Sequence, residues 1–203
     1  MLKKFIFLIF LTYTTTSIAQ FGIHIGGGAN FSDFSFDKIQ LPEINKATNY
    51  FISVRPEIGL SEGLSVGIDL QFSRKGYDYA TPDKSDISGY RFQYLDLIPQ
   101  AQFRFIKQVA IYGGLGIAIR TSEKYNISEV WKEATAKLSK STDFTYVAGL
   151  RLFPISRFSI ETQFAGSLGS FLDVEFTDVQ GNPIPNVKTH LNNIQIGIAY
   201  QLY

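Results

Sequence analysis

Residues 50–73 read YFISVRPEIGLSEGLSVGIDLQFS. Tyr50, Ile52, Val54, Pro56, Ile58 and Leu60 alternate with Phe51, Ser53, Arg55, Glu57 and Gly59. After Ser61-Glu62-Gly63 the pattern resumes as Leu64, Val66, Ile68, Leu70 and Phe72 against Ser65, Gly67, Asp69, Gln71 and Ser73. A period of two puts successive side chains on opposite faces of a strand, and a short link containing glycine suits an antiparallel turn. The stretch predicts a hairpin with one apolar face and one face of mainly polar, charged and small residues.

The same alternation predicts strands over 21–31, 90–105, 109–120, 144–153, 158–168 and 190–202, which with 50–60 and 64–77 makes eight. No charged residue falls on the eight apolar faces. The opposite faces carry Arg55, Arg104, Arg120 and Arg151 with Glu57, Asp69, Asp96 and Glu161. In a soluble sandwich or lipocalin-like barrel those charges would meet water and the apolar set would be the core. In a transmembrane barrel the apolar set meets lipid and the charges fill the lumen.

Connection lengths separate the two. The links 61–63, 106–108 and 154–157 are short, whereas 32–49, 78–89, 121–143 and 169–189 are long, and the two kinds alternate strictly. Tight periplasmic turns alternating with long outer loops belong to outer-membrane barrels, not to Greek-key links. An open edge would leave backbone groups unpaired in lipid, so the sheet must close. The expected fold is all-β, a closed eight-stranded antiparallel up-and-down transmembrane β-barrel in the bacterial outer membrane. Pro56 and Pro99 lie inside strands and cannot donate to a ladder, so each is expected to mark a bulge.

Composition narrows the chemistry further. The 203 residues include no cysteine, which excludes disulfides, thiolate nucleophiles, Cys-ligated metals and a lipoprotein anchor. A formal charge of +1 offers no footprint for nucleic acid. Residues 1–19 combine Lys3 and Lys4, an apolar run from Phe5 to Leu11 too short to span a bilayer, and Ser17-Ile18-Ala19 as a small-x-small cleavage site. They are expected to be a secretory signal peptide, leaving 20–203 as the barrel domain.

Several short motifs then stand out: Gly22, Gly26 to Gly28 and Asn30-Phe31 after Ala19-Gln20; IDLQFSRKG over Ile68 to Gly76; YLDLIP over Tyr94 to Pro99; IYGGLG over Ile111 to Gly116; and an aromatic end to the last strand. In these the chain resembles the PorT-like family of small outer-membrane β-barrel proteins. The expected function is that of a non-enzymatic outer-membrane barrel, plugged by its lumen charges, acting as a structural or interaction protein through its four outer loops, with the outer-membrane assembly machinery as a partner. The resemblance extends this to export or surface assembly.

The eight lumen charges, Arg55, Glu57, Asp69, Asp96, Arg104, Arg120, Arg151 and Glu161, are expected to form one balanced network, since an eight-stranded barrel is only just wide enough for its own side chains. A small-solute passage through the same charges, an outer-membrane enzyme and a periplasmic ligand-binding barrel are the alternatives. His24 reads as a lumen residue beside a carboxylate, and His190 as a rim residue near Asp173, Glu175 and Asp178, so the two cannot share a metal. No helix follows Gly26-Gly27-Gly28, which argues close backbone approach rather than a phosphate cradle. In the third outer loop Asn126 could cap a helix, with Glu129 three residues on and Ile127, Val130, Trp131, Ala134 and Leu138 on one face. Val130, Trp131 and Lys132 would there be either rim packing or a docking surface for a protein partner. No cofactor is expected, and lipid is the expected surround.

Overall fold

A computed structural model describes residues 20–37, 44–79, 87–172, 176–177, 180, 183–184 and 187–202. The expected signal peptide lies outside the described residues. Among the described residues eleven strands follow one another: β1 (Phe21–Phe36), β2 (Ile44–Gly59), β3 (Leu64–Tyr79), β4 (Ile87–Ile106), β5 (Val109–Ile127), β6 (Val130–Glu133), β7 (Thr142–Ile155), β8 (Phe158–Ser167), β9 (Phe176–Thr177), β10 (Pro183–Ile184) and β11 (Thr189–Gln201). Eight of them pair antiparallel in the order β4-β3-β2-β1-β11-β8-β7-β5, and β4 pairs with β5 to close the cylinder. β6 lengthens the outer end of β5, and β9 and β10 form a separate two-stranded ribbon.

Closure depends on β1 meeting β11, with Gly27 opposite Ile198 and Phe31 opposite Ile194. The strands approach so closely that a Cβ on Gly28 would lie 2.1 Å from the Ile196 carbonyl oxygen. Only glycine fits there, which is the close approach that the glycine run predicts.

β4 shows the inverted polarity along one strand. Leu95, Leu97, Pro99, Ala101, Phe103 and Phe105 are exposed, while Asp96, Ile98, Gln100 and Gln102 between them are buried. Ten residues of strand cover roughly 33 Å, or about 25 Å of bilayer at a tilt near 40°. That matches the apolar band such a barrel needs.

Above Leu95 the polarity reverses while the period of two continues. Gln93 and Arg91 occupy the outward positions, and Tyr94, Phe92 and Tyr90 are buried inside. Outward apolar residues give way to polar ones at the same height elsewhere: Phe31 to Asp33 on β1, Phe72 to Arg74 on β3, and Ile194 to Asn192 on β11. These steps share registers, Phe72 with Leu95 and Phe31 with Ile194. The strands therefore run past the lipid and continue as a short water-exposed barrel with an apolar core, longer than the alternation alone predicts.

Two expectations are corrected. Neither Pro56 nor Pro99 marks a bulge. Ladder pairing skips from Val54–Leu70 to Glu57–Gly67 beside Pro56, and from Leu97–Ile117 to Gln100–Gly114 beside Pro99, with equal residue numbers on both strands. Each proline's missing N–H faces one neighbour only, and the ladder on its other side, Ile23–Pro56 or Ile68–Pro99, is intact. The bulges lie towards the strand ends, for example between Lys46 and Phe51 at the outer end and between Arg104 and Ile106 at the inner end.

The expected helix at 126–138 is instead the β5–β6 hairpin, in which Ile127 pairs with Val130. Ser128 and Glu129 have φ of 50° and 66°, the pair of positive values that a type I′ turn requires. β-branched Ile127 and Val130 favour the flanking strands over a helix.

Candidate functional site

The lumen is filled in layers. At the inner end Arg55 of β2 reaches across β1 and β11 to Glu161 of β8 and donates two hydrogen bonds, 2.7 and 3.0 Å long. Arg151 of β7 approaches the same carboxylate at 3.2 Å, and Glu57 lies 3.5 Å from Arg55 and 3.9 Å from Arg151. Arg151 also donates to Gln102 at 2.5 Å, and its guanidinium stacks 3.7 Å from the Tyr112 ring. Tyr112 has room because its ladder partner is Gly149. Two guanidiniums at 2% and 1% exposure are thus held by two carboxylates, an amide and an aromatic face.

Above this layer the amides of Gln71, Gln195 and Gln163 are joined by bonds of 2.8 to 3.2 Å, and the Tyr112 hydroxyl donates to Gln163 at 3.2 Å. Ile98, Val147 and Ala165 add a small buried apolar patch. Lys75 then pairs with Asp96 at 3.0 Å, stands 4.8 Å from the Tyr94 ring, and Ser73 donates to the same carboxylate.

The eight predicted lumen charges therefore fall into separate groups rather than one network. Arg55, Glu57, Arg151 and Glu161 come together, and Asp69 is buried beside them. Asp96 belongs to the Lys75 layer. Arg120 lies further out with Glu123, 2.9 Å apart. Arg104 sits near the inner rim over the Phe153 ring at 4.0 Å. The separation has a simple cause. In a cylinder two residues meet only at the same height, and Arg104, Asp96 and Arg120 differ in height. Lys75 and Glu123 were legible only if the alternation was followed past the lipid band.

His24 is buried opposite Arg55, and His190 pairs with Asp37 at 3.3 Å at the other end of the β1–β11 ladder. Asp173, Glu175 and Asp178 lie outside the described residues. No cluster of three metal-ligating side chains occurs among the described residues.

The outer end is built on aromatics that sequence reading missed as a group: Phe34, Tyr77, Tyr90, Phe92, Tyr94 and Phe171 pack together with Leu191. Phe171 enters from the loop after β8, its ring 5.0 Å from Phe92 and 5.7 Å from Phe34. Backbone bonds Phe171 N–H to Thr189 O and Lys140 N–H to Phe171 O fix it, at 2.8 and 3.0 Å. Burial pushes the Tyr77 hydroxyl above its ordinary range. Glu123, fully buried, accepts from the Leu138 and Ser139 amides at 3.0 and 3.3 Å and so ties the 134–140 segment over the mouth.

Val130, Trp131 and Lys132 are exposed on β6. The Trp131 ring faces the barrel wall, 4.9 Å from the Arg91 guanidinium and 5.6 Å from that of Arg74.

The fold is shared with outer-membrane barrels of known structure. Ail of Yersinia pestis, solved with the heparin analogue sucrose octasulfate, superposes with a TM-score of 0.55 at 18% identity, covering 89% of this chain and 99% of that one. Neisserial surface protein A gives 0.54 at 9% identity over 88% and 96% of the two chains. OprG of Pseudomonas aeruginosa gives 0.50 at 12% over 91% and 97%. No curated protein matches the sequence. The family model for the outer membrane protein beta-barrel domain matches residues 15–173. With lipid-facing strands, a closed ladder and that match in agreement, the chain belongs to the outer membrane protein beta-barrel domain family and resides in the bacterial outer membrane.

Proposed function

We propose that the protein is a non-enzymatic outer-membrane barrel, plugged by its own side chains, that acts as an interaction protein through its extracellular end. The observation that carries this reading is the Arg55–Glu161 pair bridging strands that are not neighbours. A bond of that kind crosses the space a solute would use, and the glutamine and Lys75–Asp96 layers above it repeat the obstruction. Binding energy for a partner then comes from the outer end, where an aromatic core stiffens the barrel mouth and the β5–β6 hairpin extends the wall. The PorT-like resemblance adds export or surface assembly as the setting, with delivery by an N-terminal signal peptide and insertion by the assembly machinery.

The refolded protein in a planar bilayer tests the plug. Steady silence is expected, and stepwise ion conductance in the unaltered protein would reject it in favour of a small-solute passage. Deletion of residues 128–131, with heat-dependent gel mobility unchanged, is expected to abolish capture of the partner by crosslinking in cells. Capture at the level of the unaltered chain would move the interface away from this hairpin.

A further inference from the structure

We infer that the outward wall around Arg74, Arg91 and Trp131 binds the phosphate monoester of an anionic outer-leaflet lipid headgroup. Height is the first argument. Arg74 occupies the first outward position above Phe72, where the apolar band ends, and pairs in register with Gln93 directly above Leu95. Headgroup phosphates lie at that level of a bilayer, where Trp and Tyr are enriched.

Charge is the second. Among the described residues, Arg74, Arg91, Lys124 and Lys137 share this wall with Asp78 and Glu133, four positive groups against two negative. Arg91 takes Asp78 in a two-bond pair of 2.7 and 2.8 Å, and Lys124 and Lys137 share Glu133 at 3.4 and 3.8 Å. Arg74 has no carboxylate within 4.0 Å among the described residues, and its guanidinium is held against Trp131. A guanidinium fixed on an aromatic face, with no carboxylate partner among the described residues and set at phosphate height, is organised for a phosphate before it arrives.

Trp131 is the sole tryptophan of the chain, so its emission reports on this wall alone. The protein is refolded into phosphatidylcholine vesicles carrying a rising mole fraction of diphosphorylated lipid A. A saturable blue shift is expected, weakening at high salt. The double variant R74Q/R91Q should need about 25-fold more lipid A, since about 1 kcal/mol per surface cation is roughly a factor of five each. Heat-dependent gel mobility verifies that the variant folds, and the salt series on the unaltered protein needs no variant. A flat response, identical curves for the two proteins, or the same shift from inorganic phosphate added to pure phosphatidylcholine vesicles would overturn the assignment. Conductance and partner capture do not enter these readings, so failure here leaves the proposed function standing.

Discussion

Arg55 and Glu161 meet in a two-bond pair although β1 and β11 separate their strands in the sheet. The pair is therefore a strut across the cylinder and not a contact within its wall. Charges taken this far from water destabilise unless every one finds a partner, and breaking a pair costs more than removing it whole. Glu161→Gln leaves Arg55 and Arg151 sharing Glu57 and is expected to cost about 3 to 5 kcal/mol. Arg151→Met with Glu161→Leu removes one charge of each sign and is expected to cost less than the single change. Urea unfolding in vesicles measures both, and additivity of the two substitutions would show that the charges do not act together.

Ile198 is 63% exposed at the middle of the β11 lipid face, and Gln195, three residues earlier, is buried in the lumen between Gln71 and Gln163. Ile198→Arg is expected to cost roughly 2 to 4 kcal/mol, the penalty for a cation at the bilayer midplane. Ile198→Leu, on the same face with the same volume, should leave the unfolding midpoint in vesicles within error. Equal effects of Arg and Leu would mean that this face is not in lipid.

The β5–β6 hairpin hinges on two left-handed residues, Ser128 and Glu129. Asn-Gly is the pair that a type I′ turn prefers, so Ser128→Asn with Glu129→Gly is expected to stabilise the hairpin by about 0.5 to 1 kcal/mol. Hydrogen exchange at the Ala134 amide, which donates to Glu123 O at 2.9 Å, reads the change. The same substitution in a helix would destabilise it, so faster exchange would restore the helical reading of this loop.

How much of this was readable beforehand follows from the physics of each feature. Strand number, order and facing were legible because lipid enforces one periodicity over every strand, as in Leu95 to Phe105. The outer aromatic core was not, since the interior at Tyr90, Phe92 and Tyr94 turns apolar where the surroundings become water, with no break in period. The hairpin at Ser128-Glu129 was hidden by a residue pair that gives no turn signal and by apolar spacing compatible with a helix. Arg55, Glu57, Arg151 and Glu161 could be placed on one face from sequence, but their common height, and the different heights of Arg104, Asp96 and Arg120, needed the register.

Glu133, on the outward side of that hairpin, has its carboxyl held below the ordinary glutamate range, first by the Ser122 hydroxyl and then by Lys124. A group whose folded value is depressed stabilises the fold above its unfolded value and loses that contribution as pH falls through the folded one. The hairpin is expected to be firm at neutral pH and to loosen only on the acid side of the usual glutamate range. Trp131 emission and Ala134 amide exchange followed downward through that range should change together in the unaltered protein. Glu133→Gln should remove the pH dependence, and a variant that keeps it would point to a different titrating group.

Phe171 is the residue by which the loop after β8 enters the outer core, 1% exposed and against Phe34, Phe92 and Tyr94. Phe171→Ala removes a buried ring from a packed site and is expected to cost about 3 to 5 kcal/mol. The loss should fall on the outer cap and not on the barrel, because the cap is joined to the wall by Thr189, Ser170 and Lys140 and lies above the lipid band. Protease cleavage near residues 169–172 should accelerate while the amides of Gly26 to Ala29, paired with β11, keep their protection from exchange. Loss of protection at those amides as well would show that cap and barrel unfold as one unit.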